Sequence, residues 1–368
     1  MTSINNVRSG VLAKSLWSAA CGAMALVAMP AAAQNFPYNV NYPAGLASQG
    51  IAPDQGKAVA EIRADWELWK SRWVTGSGAA NDSRRVLYDN DGPEKSSNPQ
   101  DTNLNTVSEG LGYGVLMAVY LDDQNLFDRF YTYVQIHEKS DGLMGYKIEQ
   151  NGNFLTSVNG NRVYGDASAA DADADEDIAV ALVFADAKWS TGNTGKTYLA
   201  DAKNMINAIM DNDVDSKPDY VSPGSQPSYV LLGGDTRTPI SFNPSYFAPA
   251  WYRIFQSVTA DNRWSQVIDA SYALEQKCAN KDTGLEPKNC GLDGNAFPGQ
   301  DHNYAYNAFR TPIREAIDHS WNSGETRGSV QVNAGFWASH YDPNGIPADP
   351  YASSAPSCDN PKIYTVRT

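Results

Sequence analysis

Two stretches of this chain gather carboxylates where they could do acid–base chemistry. Glu109 stands in Thr106-Val107-Ser108-Glu109-Gly110-Leu111-Gly112-Tyr113-Gly114, at the head of an apolar segment with helical spacing. The run Asp171-Ala172-Asp173-Ala174-Asp175-Glu176-Asp177 leads into another, Ile178 to Leu182. A carboxyl that keeps its proton can give it to a leaving oxygen, and one that is ionised can take a proton from water; two facing one groove are the minimum for glycoside hydrolysis. Both stretches lie at helix N-termini, which a barrel of helices would expose on one rim. The 9 Trp and 20 Tyr add flat faces on which sugar rings stack, so the combination points to a carbohydrate cleft.

Each stretch also has a reading without chemistry. Thr106 at an N-cap with Glu109 three residues on is a capping box. Gly110, Gly112 and Gly114 are poor helix formers, however, so they serve something else, such as close approach of a ligand to the backbone. Alternating aspartates suggest a calcium loop, but counted from Asp171 the sixth and twelfth positions are Glu176 and Leu182, where an EF-hand needs Gly and Glu. Acids are favoured at a helix N-terminus by the macrodipole, yet five in seven repel one another, so some are held for a substrate. There is no G-x-S-x-G, Walker loop or H-E-x-x-H, and the four histidines (His137, His302, His319, His340) are scattered, so no metal site is expected.

The elements that must position these groups are helices. Apolar residues recur at helical spacing near Asp54–Trp73, Ser108–Tyr120, Asn125–His137, Asp175–Trp189, Thr197–Asp211, Tyr246–Val258, Trp264–Lys277 and Asn307–Trp321, with polar loops between them and few strands. The connections Tyr146–Asp173 and Asp213–Asn243 are long enough to wall a cleft. Residues 1–33 read as a secretory signal peptide: Arg8 and Lys14, an apolar run from Leu16 to Met29, then Ala31-Ala32-Ala33 before Gln34. Residues 34–50 form a Pro/Asn/Gly-rich leader, 51–325 the helical domain and 326–368 an irregular C-terminal segment. A secreted or periplasmic location follows, with no membrane contact once the signal is cleaved. In that oxidising compartment Cys278 and Cys290 bracket a loop they could staple, which would leave Cys358 unpaired. The net charge of −14 argues against a nucleic-acid partner.

Three ordered motifs then resemble glycoside hydrolase family 8, the secreted bacterial endoglucanases, chitosanases and lichenases. They are Val107-Ser108-Glu109-Gly110-Leu111-Gly112-Tyr113-Gly114, Asp173-Ala174-Asp175-Glu176-Asp177-Ile178-Ala179-Val180-Ala181-Leu182 with Trp189, and Asn243-Pro244-Ser245-Tyr246-Phe247-Ala248-Pro249-Ala250. The likeness implies an all-α (α/α)6 barrel that hydrolyses β-1,4 bonds with inversion. By position it makes Glu109 the general acid and Asp173 the residue that holds the distorted sugar. It places Tyr246 beside the attacking water, Arg310 near the base, and Tyr146 where relatives stack a sugar on Trp. Two departures stand out. In Tyr306-Asn307-Ala308-Phe309-Arg310 the endoglucanase-like members carry an Asp base where this chain has Asn307, and an amide cannot take a proton from water. Relatives similar to the family's chitosanases use a Glu from the preceding loop, which here leaves Asp301, nearest in sequence, and Glu286, the only Glu, as candidate bases. The second departure is the ending: the pattern fails after Trp321, so the barrel is expected to be incomplete at its C-terminus.

The reading is a secreted, monomeric endo-β-1,4-glycanase of cellulose-like or mixed-linkage glucan, needing no cofactor because carboxylates and water suffice. Its rivals are a chitosanase, which Asn307 and the acidic charge would suit, and a carbohydrate-binding relative that has lost catalysis.

Overall fold

The apolar spacing becomes helix where it should. α1 (Gln55–Trp73), α2 (Ser108–Tyr120), α3 (Gln124–Ile136), α4 (Ala172–Trp189), α5 (Tyr198–Asn212), α6 (Pro249–Thr259), α7 (Arg263–Cys278) and α8 (Arg310–Trp321) each match an expected segment to within three residues. A ninth, α9 (Val330–Ser339), stands in the stretch expected to be irregular. Its apolar residues Val330, Val332, Ala334 and Phe336 alternate at period two, so no helical stripe was there to read. What fixes it is tertiary contact: the Asn333 side chain donates to the Gly284 carbonyl at 3.2 Å, and Gly284 has φ +65 with the Asn333 nitrogen 2.5 Å from where a Cβ would lie. This computed structural model describes residues 55–76, 82–88, 105–154, 170–190, 197–216, 229–234, 241–296, 302–322, 325–339 and 364–365, all within the unit Asn35–Thr368. The expected signal peptide, the leader, Cys358 and Asp301 lie outside them.

The helices pack as consecutive hairpins. α2 packs on α3, α4 on α5, α6 on α7 and α8 on α9, while α4 also touches α2 and α6, so it runs through the middle. Asp123 shows how one acid can join elements: its side chain accepts the Leu126 N–H at the start of α3 at 3.2 Å and also the Lys70 ammonium of α1 at 3.0 Å. The core is strongly aromatic. Phe127 meets Trp189 and Tyr198 edge-on with centroids 5.4 and 5.3 Å apart, and Tyr252 stacks on Trp264 at 5.4 Å. Each such ring contributes about 1.5–3 kcal/mol by leaving water. Among the described residues no helix is long and apolar enough to cross a membrane.

Short strands brace the helix ends. β1 (Val74–Gly76) pairs with β2 (Arg84–Val86), and β3 (Thr106–Val107) pairs antiparallel with β4 (Lys147–Ile148), Thr106 opposite Ile148. β5 (Val214–Asp215) pairs with β6 (Val230–Leu231). β7 (Ser241–Phe242) pairs with β8 (Cys290–Gly291), and the Cys278–Cys290 disulfide ties β8 to the end of α7. The loop that enters the turn of Tyr246 is thereby anchored. β9 (Asn303–Tyr304) pairs with β10 (Tyr364–Thr365).

Candidate active site

Glu109 occupies the first turn of α2, where it is half-buried, but no capping box forms. The N-cap is Val107, which has no side-chain cap, because Thr106 belongs to β3. The Thr106 hydroxyl donates to the Val86 carbonyl at 2.9 Å and accepts from Arg85 at 3.1 Å. The β3–β4 pairing also brings Tyr146 alongside, its carbonyl accepting the Ser108 N–H at 2.8 Å, with its side chain half-buried. Gly112, three residues after Glu109, serves the packing of helices. A Cβ on Gly112 would lie 3.2 Å from the Ala174 carbonyl and 3.1 Å from the Asp177 Cβ, so its absence lets α2 close onto α4.

That closure delivers the acidic run. Oxygens of Glu109, Asp171 and Asp173 all lie within 4.8 Å of one another, with both aspartates buried. Asp173 is ion-paired to Arg310 Nη1, and the same nitrogen donates to the Tyr113 hydroxyl at 2.9 Å. The Arg310 guanidinium also lies over the Tyr246 ring at 5.3 Å, and the Tyr246 hydroxyl donates to Asp171 Oδ1 at 3.5 Å. Burial works against the Arg310 charge, but Asp173 and Tyr113 more than reverse this and raise its pKa. Burial raises the Tyr113 phenol as well. The Arg310 Nε and Nη2 donors are buried without a hydrogen-bond partner, and such donors are rare unless something else is meant to meet them.

The other acids of the run have structural partners. Asp175 accepts the Met144 N–H at 2.9 Å, Glu176 the Tyr252 hydroxyl at 2.7 Å, and Asp177 the Trp251 indole at 2.8 Å together with a two-nitrogen grip from Arg314. Burial pushes Asp175 and Glu176 well above the ordinary carboxyl range; Asp213 adds to the first, while Arg314 and Tyr252 oppose the second. Of the run, Asp171 and Asp173 are the two acids that stand beside Glu109.

Asn307 is half-buried on the short 3-10 turn Tyr306–Phe309 that leads into Arg310. Glu286 is buried elsewhere, its Oε1 accepting from the Ser329 hydroxyl at 2.5 Å and its charge opposed by Glu315. Tyr113 and Asp171 were not singled out from the sequence. Tyr113 was findable, because four residues after Glu109 it must share that face of the helix. Asp171 was not, because its partners come from other helices.

Residues 34–342 match the family described as Glycosyl hydrolases family 8. The chain belongs to this family. Among its relatives are Endoglucanase 2 of Ruminiclostridium josui, 39% identical over 87% of this chain and 63% of that protein, and Endoglucanase A of Acetivibrio thermocellus, 40% identical over 80% and 57%. The chain therefore spans about three-fifths of the length of the curated relatives it matches. Among solved structures, the beta-1,3-1,4-glucanase from Paenibacillus sp. X4 superposes with a TM-score of 0.61 at 29% identity, covering 77% of this chain and 72% of that one. The paired helices described above are accordingly those of the family 8 (α/α)6 barrel.

Proposed function

We propose that this family 8 chain is a secreted endo-β-1,4-glucanase that inverts the anomeric centre, with Glu109 as the general acid. The observation that carries the reading is the set of groups around Glu109. A half-buried carboxyl stands beside an Asp173 held by Arg310, whose two spare donors are positioned for sugar hydroxyls. The relatives named endoglucanases at about 40% identity favour glucan as the substrate. Protonated Glu109 gives its proton to the glycosidic oxygen as the C–O bond breaks, and a water oxygen bonds to the anomeric carbon while a carboxylate base takes the water's proton. Asn307 cannot be that base. Glu286, buried against Ser329 and Glu315, is poorly placed to receive a proton from a cleft water, so the role goes to Asp301, six residues before Asn307. Tyr146 and Tyr246 line the sugar path.

The test is reducing-sugar release from carboxymethylcellulose, mixed-linkage glucan and chitosan, with the anomer of the first product read by proton NMR. Glu109→Gln should lower kcat/KM by about 10²–10⁴-fold, the usual worth of a positioned proton donor. Asp301→Asn should lose activity that azide restores with formation of a glycosyl azide. Preference for chitosan would favour the rival that Asn307 suggests, and a folded, saccharide-binding protein that releases nothing would be a binding relative. The Cys278–Cys290 disulfide supports an oxidising compartment, and N-terminal sequencing of exported protein should begin at Gln34. The monomeric state is checked by light scattering of the same sample.

A further inference from the structure

Tyr113 is the open member of an otherwise closed group. Asp171, Asp173, Arg310 and Tyr246 are buried, whereas Tyr113 keeps 37% of its surface exposed. It lies one helical turn after Glu109 on α2, so the two side chains share a face of the helix. The glycines on either side of it fix that face. A Cβ on Gly112 would press on α4, and one on Gly114 would lie 3.1 Å from both the Val86 side chain of β2 and the Phe130 ring of α3. With α4 close on one flank and β2 and α3 on the other, α2 cannot turn about its axis, and Tyr113 stays beside the acid. Its phenol end is held as firmly. One hydrogen of Arg310 Nη1 goes to Asp173 and the other to the Tyr113 oxygen, at 2.9 Å. Tyr113 therefore accepts from the guanidinium, and its own O–H meets no acceptor among the described residues. Burial raises the phenol above its usual range, against the pull of Arg310, so that hydrogen is retained. A hydroxyl that accepts from a cation is polarised into a stronger donor.

We propose that Tyr113 is a substrate-binding residue, whose exposed ring packs on the saccharide unit beside Glu109 and whose hydroxyl, polarised by Arg310, donates to a neutral hydroxyl of that unit. The sugar oxygen supplies the acceptor that the protein does not, and an aromatic face suits the C–H face of a pyranose. Because Arg310 Nη1 grips Asp173 and Tyr113 together, one guanidinium orients two groups against the same sugar. A phenol that only steadied Arg310 would need neither an open ring nor a hydrogen left over, and Arg310 is already paired with Asp173. The inference deepens the proposed glucanase reading and rests on it for the ligand, a glucan chain in the cleft, but not for the bond-breaking step.

The experiment is calorimetric titration of the full chain carrying Glu109→Gln, which keeps the ligand intact, with cellotetraose and its singly deoxygenated analogues. Adding Tyr113→Phe, which keeps the ring and removes the hydroxyl, should weaken cellotetraose binding by about 3- to 10-fold, the usual worth of one hydrogen bond. One analogue, lacking the partner hydroxyl, should lose that much in the parent and nothing further in Tyr113→Phe, as expected of two groups in direct contact. Tyr113→Ala should weaken binding more than Tyr113→Phe, because the ring goes too. Unchanged affinity in Tyr113→Phe overturns the inference. So does a loss in which every analogue is weakened equally in both proteins, since Tyr113 would then act through Arg310 alone. A parent that binds no cellotetraose overturns it together with the proposed glucan substrate. Coupled binding in a chain whose wild type hydrolyses no glucan would sink the proposed activity and leave the contact standing.

Discussion

Two groups of buried acids lie on opposite sides of α8, and they are neutralised in different ways. Toward α4, Arg310 and Arg314 stand one helical turn apart on one face and pair with Asp173 and Asp177. Away from it, Glu315 points to the loop before α9, where its carboxyl accepts the Ser329 N–H at 2.8 Å and lies near Glu286 and Glu275. Among the described residues no arginine grips these three. Both oxygens of Glu275 are buried without a hydrogen-bond partner, and burial pushes Glu275 and Glu286 well above the ordinary range, each raised further by its acidic neighbours. Where a guanidinium is at hand a buried acid can stay ionised and act as an anchor; where none is, it holds a proton and becomes sensitive to pH.

The largest break in this contrast is to remove the cation from the first group. Arg314→Met leaves the buried Asp177 with the Trp251 indole alone, beside Glu176. Removing one partner of a buried pair costs about 3–5 kcal/mol, and urea unfolding at neutral pH should show a loss of that size. A loss below about 1 kcal/mol, the scale of an exposed pair, would mean that the buried ion pair counts for no more than a surface one and that the two groups are alike after all.

Much of this arrangement was legible in the sequence, and the rest was hidden for definite reasons. Eight helices followed from apolar spacing, although α4 is buried on all sides from Ala172 to Leu182 rather than along one stripe. α9 did not, because its apolar residues alternate and Gly284 and the Ser329 loop hold it in place. Thr106 and Glu109 carried the spacing of a capping box, but the pairing of Thr106 with Ile148, forty-two residues away, decided otherwise. The run Asp171 to Asp177 announced that something unusual was needed. Its division into two acids beside Glu109 and three with partners from outside α4 depended on Met144, Trp251, Tyr252, Arg310 and Arg314, which arrive from other parts of the chain. Successive acids on a helix point in different directions, so no rule of local spacing could assign them.

A milder test acts on the second group. Burial raises Glu315 to about 7 against an ordinary 4.5, although the Ser329 and Val330 N–H groups oppose the rise. A carboxyl that is easier to protonate folded than unfolded binds more protons in the native state between those values. The stability that this proton contributes is therefore full below about pH 4.5, drains as pH rises through about 7, and is lost above it. Glu315→Gln keeps an oxygen for the Ser329 N–H and carries no charge. It should match wild type near pH 5 and exceed it by about 1–3 kcal/mol at pH 8, as read from unfolding midpoints across that range. A parallel pair of curves would show that Glu315 is ionised throughout and that the group has found a cation.

The smallest effect sharpens where that cation could come from. Arg327 is the positive charge that acts on Glu275, but its guanidinium is committed to Glu325 at 2.8 Å and, on its exposed side, to Asp269 at 2.6 Å. Both members of the Arg327–Asp269 pair are open to solvent, so Asp269→Asn should change stability by no more than about 1 kcal/mol, and high salt should erase even that. Glu325, pulled down to about 2 chiefly by its hydrogen bonds with Arg327, keeps the guanidinium at the surface in the variant as in the wild type. If Asp269→Asn instead flattened the pH dependence assigned to Glu315, the freed arginine would have turned inward, and the difference between the two acidic groups would lie in one surface contact rather than in the placing of arginines along α8.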